Sequence, residues 1–150
     1  MWSVLLEKLV SILDANVLIQ ETFNYEVEEF KGDPSCVVVP SNNESDYNTM
    51  EENIRIYAFS VRLYVNRTIK PAGEDPKADS DRILRNLVDS VLDDFDSDYT
   101  LTGMTVPTGY TFINLFALPS LWGYAGREDE YRVAEINIRC RASVDVNAIS

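Results

Sequence analysis

The sequence predicts an α+β domain: a mainly antiparallel or mixed β-sheet of four to six strands with two α-helices packed on one face. Three observations carry this. The stretches 54–65 and 132–146 alternate apolar and polar residues with the period of two that belongs to strands. The stretches 2–15 and 81–95 repeat apolar residues at the helical spacing of three and four. The order of elements is helix, two strands, long strand, helix, one or two strands, long strand. At 150 residues this is one domain, 1–150, large enough to bury about 70% of the surface of its unfolded chain.

Taken in order, Trp2, Leu5, Leu6, Leu9, Val10 and Leu13 make the apolar stripe of the first helix, and Asp14-Ala15-Asn16 stops it, Asn being tolerated in the left-handed cap position. Phe23, Tyr25 and Val27 alternate with polar residues as in a strand. Lys31-Gly32-Asp33-Pro34 is a turn, and the β-branched run Cys36-Val37-Val38-Val39 follows, closed by Pro40. These two strands are expected to pair as a hairpin. The polar segment 41–53 reads as an exposed, mobile loop.

Next comes the strand 54–65, free of Pro and Gly and so fit for the middle of a sheet. Its odd positions from Tyr57 to Val65 are apolar. The even positions start apolar at Ile54, Ile56 and Ala58 and turn polar at Ser60 and Arg62, which predicts a partly covered outer face, dry at the Ile54 end. Pro71, Gly73 and Pro76 among charges make 66–80 a second long, mobile connection.

Ser80 or Asp79 caps the helix 81–95, striped by Ile83, Leu84, Leu87, Val88, Val91, Leu92 and Phe95. Asp93 and Asp94 sit near its C-terminus, where the macrodipole disfavours an anion by about 0.3–1 kcal/mol, so they should serve something other than the helix itself. Residues 105–118 form an apolar, aromatic run ended by Pro119. Leu121-Trp122-Gly123-Tyr124 and a charged turn at 127–130 lead into the last strand, with Ala134, Ile136, Ile138, Cys140, Ala142, Val144 and Val146 on one face.

A net charge of −12 argues against a sequence-independent grip on nucleic acid, which requires phosphate neutralisation. There is no histidine, which removes the commonest general base, the commonest metal ligand and every Ser-His or Cys-His pair. The two cysteines, Cys36 and Cys140, lie in apolar strands and read as reduced core thiols. No apolar run is long enough to span a bilayer, and the N-terminal run reads as a helix and not a signal peptide. The chain is expected to be soluble and made in the cytoplasm.

Catalytic and metal chemistry find little support. The acidic run from Asp94 offers the first three ligand positions of a calcium loop but has Tyr99 where glycine is needed and Thr105 where a bidentate Glu belongs. The paired carboxylates, such as Glu51 and Glu52, carry no sign of the desolvation that makes one of them an acid catalyst. The expectation is a protein that is not an enzyme and holds no metal or cofactor.

Charge is segregated instead. Arg55, Arg62, Arg132, Arg139 and Arg141 fall in the two long strands, which hold two acids, Glu135 and Asp145, while most of the other acids cluster at 26–33, 44–52, 74–98 and 128–130. Such a chain can meet a second copy head to tail, basic sheet surface against acidic loop, and a contact of that kind closes into a ring when its rotation divides a full turn. Arg55, Arg62, Arg139 and Arg141 are the candidate interface residues, with Trp122 and Tyr124 as aromatic anchors.

An N-terminal amphipathic helix, then Phe23-Asn24-Tyr25-Glu26, Gly32-Asp33-Pro34-Ser35-Cys36-Val37-Val38, an Asn-rich loop, Asn53-Ile54-Arg55-Ile56-Tyr57-Ala58-Phe59, a helix at Asp81–Phe95 and a closing strand at Arg132–Val146 run through most of the chain. This order resembles the tail terminator (tail completion) proteins of long-tailed bacteriophages and related tail-like particles. The resemblance implies a small α+β virion subunit that forms a hexameric ring. The ring caps the growing tail tube, ends its polymerisation and docks to the head–tail connector, so that the protein is found at the head-proximal end of the tail and, during assembly, in the host cytoplasm. An acidic chain suits a channel wall that DNA slides past without binding. From a different class, a monomeric acidic binding module, such as a DNA-mimicking inhibitor, meets the same charge and composition.

Overall fold

The computed structural model describes residues 1–27, 29–47, 52–67 and 76–147. Helix α1 (Trp2–Asp14) leads to β1 (Glu21–Phe23), β2 (Ser35–Tyr47) and β3 (Glu52–Asn66). Helix α2 (Pro76–Ser97) follows, then β4 (Tyr110–Ala125), a single 3-10 turn and β5 (Tyr131–Asp145). The five strands form one mixed sheet in the order β1-β2-β3-β5-β4, so β3 is its centre as the pattern predicts. All pairs are antiparallel except β1 with β2. The fold is α+β.

Both helices cover one face of this sheet. Leu5, Leu9 and Leu13 of α1 and Leu84, Leu87, Val91 and Phe95 of α2 are buried in one cluster with the odd residues of β3 and the even residues of β5. Trp2 enters that cluster edge-on, 4.9 Å from the ring of Tyr57 and 5.2 Å from that of Phe59. The β4–β5 hairpin closes through Gly126 at φ 81°, a backbone angle that glycine adopts without the steric cost a side chain adds.

Several expectations are corrected. The segment after β1 does not turn back as a hairpin strand: β1 pairs parallel with β2, Glu21 opposite Ser35 and Phe23 opposite Val37. Strand β2 does not stop at Pro40 but continues to Tyr47, pairing with β3 across a register shift between Pro40 and Asn43. Likewise β4 runs through Pro119 to Ala125 as one strand with irregularities at 112–114 and 119–121. Proline interrupts a strand that has neighbours on both sides. Here β4 is an edge and β1 covers only the start of β2, so both prolines sit where the strand has one paired side, which tolerates a missing N–H. The expected loop at 41–53 is therefore strand as far as Tyr47. Residues 48–51 and 68–75 lie outside the described residues, and the rest of the second expected connection is the first turn of α2, opened by Pro76.

Asn16 does not form a left-handed cap. The cap residue Ala15 is in the right-handed region, and Asn16 is buried beyond it. Its Nδ2 donates to Ser90 Oγ (3.0 Å) and to Asp94 Oδ2 (2.7 Å), while its Oδ1 accepts from the Leu18 amide (2.9 Å). Asp94 thus has the role its awkward place on α2 suggests: it ties the ends of the two helices together. Asn16→Ala strips Asp94 of this donor, and we expect a loss of about 1–3 kcal/mol, read as a lower urea midpoint at unchanged slope.

The acidic run that might have formed a calcium loop is helical as far as Ser97, and among the described residues no cluster of metal-binding side chains exists. Cys36 and Cys140 are free and buried. Burial pushes the Cys140 thiol up to about 12 from an ordinary 9.0. Cys36 moves further in the same direction, through burial first and the field of Asp14 second. Both groups are acids held neutral by the fold, so their contribution is complete below pH 9 and is lost as pH rises through 9 and the unfolded thiols ionise. Native protein should accordingly resist thiol reagents, and its unfolding midpoint should drop above pH 9.

Candidate assembly surface

The sheet's second face is where the chain leaves its hydrophobic surface unfinished. At one end it is closed by Glu26, Phe30 and Asp33. Phe30 sits 4.7 Å from Tyr64 and 5.4 Å from Tyr131, ring to ring, and Asp33 accepts from the Asn66 amide at 2.8 Å. Arg62 is engaged there by Glu26, which leaves it part-buried in an ion pair. This is the reverse of the sequence expectation, in which the Ile54 end was the covered one. Ile54, Ile56 and Ala58 are half-buried, whereas Tyr64 at the other end is buried.

The open end continues across β5 onto β4. Cross-strand partners share a face, so Ala58 and Ile56 stand beside Arg139 and Arg141, which stand beside Phe116 and Asn114. Phe116, Leu118 and Leu121 expose 51%, 62% and 64% of their surface on this side. Two hollows flank Asn137 and Arg139. One, of about 100 Å³, is walled by Ile56, Ala58 and Ser41. The other, of about 490 Å³, is walled by Phe116, Leu118, Pro119 and Ser120. Among the described residues neither Arg139 nor Arg141 has an acidic partner or a side-chain hydrogen bond.

The candidate residues therefore separate. Arg62, Arg139 and Arg141 share the outer face, but Arg62 is already paired. Arg55 points to the opposite, helix-bearing face, where its Nη1 donates to the Tyr110 hydroxyl at 3.1 Å. Arg132, on that face too, donates to Asp81 Oδ1 at 2.8 Å and to the Gly123 carbonyl at 2.7 Å. A single basic surface over both long strands does not exist, because the strand period of two sends 55 and 62 to opposite sides. By register Trp122 and Tyr124 also face the helices. Trp122 borders a hollow with Leu84 and Arg85, and Tyr124 is held by the guanidinium groups of Arg67 and Arg132, each 4.6 Å from its ring centre. Both remain about half exposed.

The edge strand itself carries a further signal. From Tyr110 to Ala125 it holds no charged residue in a chain of net charge −12. Long edge strands are ordinarily blunted by charge, because their free backbone groups template pairing with another chain. Pro119 and the two irregularities are the protection β4 has. The apolar run with Phe116 and Leu118 is legible in the sequence, but its exposure is not. That the strand is an edge depends on sheet order, which no local pattern states. Among the described residues no helix is long and apolar enough to cross a membrane, so the apolar surface is not part of a membrane-spanning helix. No protein-family model matches the chain, and no curated protein matches it.

Proposed function

We propose that this chain is a structural subunit of a ring, a tail-terminator-like protein that caps a phage tail tube, ends its growth and joins it to the head connector. The observation that supports this best is the open surface formed by the uncharged edge strand β4 and the outer sheet face with Arg139 and Arg141. Exposed apolar surface is costly to show to water, and such a surface flanked by arginines without an ion-pair partner among the described residues is usual where a protein meets a partner. The helix side presents acids: Asp89, Asp93 and Asp96 are exposed on α2. Exposed Arg139 on the outer face and exposed acids on α2 can meet between copies, and a head-to-tail contact of that kind closes as a ring when its rotation divides a full turn. The resemblance in element order supplies the tail-terminator role.

The decisive assay adds the purified chain to tail-tube protein elongating in vitro. Growth stops and electron micrographs show a ring on one tube end. If tubes grow to the same lengths with and without the chain, and none carries a cap, the role is wrong. The exposed acids of α2 favour a second reading, a monomeric acidic module that occupies a basic cleft. That reading requires the chain to compete with DNA for a basic protein and to remain single at all concentrations.

A further inference from the structure

The loop joining α1 to β1 is built as a rigid apolar knob. Val17 is 88% exposed and Leu18 43% exposed, yet the turn that displays them is braced by hydrogen bonds. Buried Asn16 holds it from within through Ser90, Asp94 and the Leu18 amide, and the Ile19 amide closes it onto the Asn16 carbonyl at 3.2 Å. A loop with no partner gains nothing from presenting two aliphatic side chains in one fixed geometry. A docking element does gain, because the ordering cost is met before contact.

The surroundings of the knob say what receives it. It stands where the C-terminal ends of both helices converge, and neither helix has a basic residue in its last turn. Asp14 is exposed beside it, with Asp93 and Asp96 nearby on α2, so the site combines the negative ends of two helix dipoles with free carboxylates. Its complement is an apolar hollow with a cation at the rim. The outer face of the same chain offers one: the hollow of about 490 Å³ between Phe116 and Leu118, with Arg139 on its wall and no acid to satisfy it among the described residues. Knob and hollow lie on opposite faces of the sheet, so one molecule cannot use both on itself.

We infer that the Val17–Leu18 knob of one copy seats in the Phe116–Leu118 hollow of the next, with Asp14 meeting Arg139, and that this is the contact repeated around the ring. The inference rests on the ring reading and adds its contact. Isolated arginine and carboxylate faces fix orientation, and the knob supplies apolar burial at the centre of the contact.

Cysteine cross-linking tests it, since the two native thiols are buried and held protonated. Chains carrying Val17→Cys and chains carrying Leu118→Cys are mixed and oxidised mildly. The expected product is a covalent dimer of one chain of each kind, with little product from either variant alone, and a ladder of higher multiples from a chain carrying both substitutions. Prominent Leu118→Cys self-dimers would instead indicate that β4 pairs with its own copy, and would overturn the knob. So would a mixture that links no better than its components. Light scattering on the unmodified chain under the same conditions separates the two levels: assembly without cross-links removes the knob and keeps the ring, whereas no assembly removes both.

Discussion

Replacing Arg139 and Arg141 together by Glu is expected to abolish assembly and leave the fold standing. Arg139 is exposed and Arg141 part-buried, and among the described residues neither makes an ion pair or side-chain hydrogen bond, so the monomer loses no native interaction. Surface changes of that kind stay within about 0.5 kcal/mol, and thermal unfolding should be nearly unmoved. At the contact the balance differs. Truncating one member of a buried charged pair costs about 2–5 kcal/mol, and reversal adds repulsion to the loss. Two reversals should weaken association by about a thousandfold or more, since each 1.4 kcal/mol is about a factor of ten. Substituting Lys at both positions should restore part of the association, because the charge returns without the guanidinium fork that grips a carboxylate at two points. Sedimentation velocity beside a melting curve reads both quantities. A Glu variant that assembles like the original chain would remove these arginines from the contact.

Two phenylalanines provide the second contrast. Phe59 is fully buried at the centre of β3, against the ring of Trp2, and Phe59→Ala should cost about 3–5 kcal/mol, a large share of the roughly 5–15 kcal/mol of a typical domain. Phe116 is half exposed on β4. The same substitution there opens no cavity and should leave the unfolding midpoint where it is while raising the concentration at which copies associate. Denaturant unfolding and a dilution series on the two variants measure the pair of effects. Equal destabilisation by both would mean that β4 is as tightly packed as the core, contrary to its exposure.

The fold was legible where burial is periodic. Odd residues from Tyr57 to Val65, and even residues from Ala134 to Val144, mark one face of a sheet without ambiguity, and the leucines of α1 mark the helix that covers it. Strand ends were less legible, because Pro40 and Pro119 stop a strand only when both its edges are paired, and edge status belongs to the sheet. The dry end of β3 was misplaced for a related reason. Ile54, Ile56 and Ala58 announce a surface that wants covering, but a sequence cannot say whether the cover is its own chain. The segment around Phe30 covers the other end, and the apolar residues that remain are those facing outward beside Arg139.

The candidate site was legible as charge and not as geometry. Arginines concentrated in two strands do not make one basic face, because the parity of 55 against 62 divides them and Glu26 engages Arg62. The knob was missed altogether. The helix stop at Asp14-Ala15-Asn16 is legible in the sequence, but only the burial of Asn16 shows that Val17 and Leu18 beyond it are held out to solvent.

The most direct measurement is the absolute mass of the purified chain by light scattering coupled to size exclusion, alone and with tail-tube protein present. A copy-to-copy surface on β4 and the outer sheet face gives a discrete multiple of 17.0 kDa, with closed rings in the same fraction by electron microscopy. A mass of one chain under every one of these conditions contradicts it.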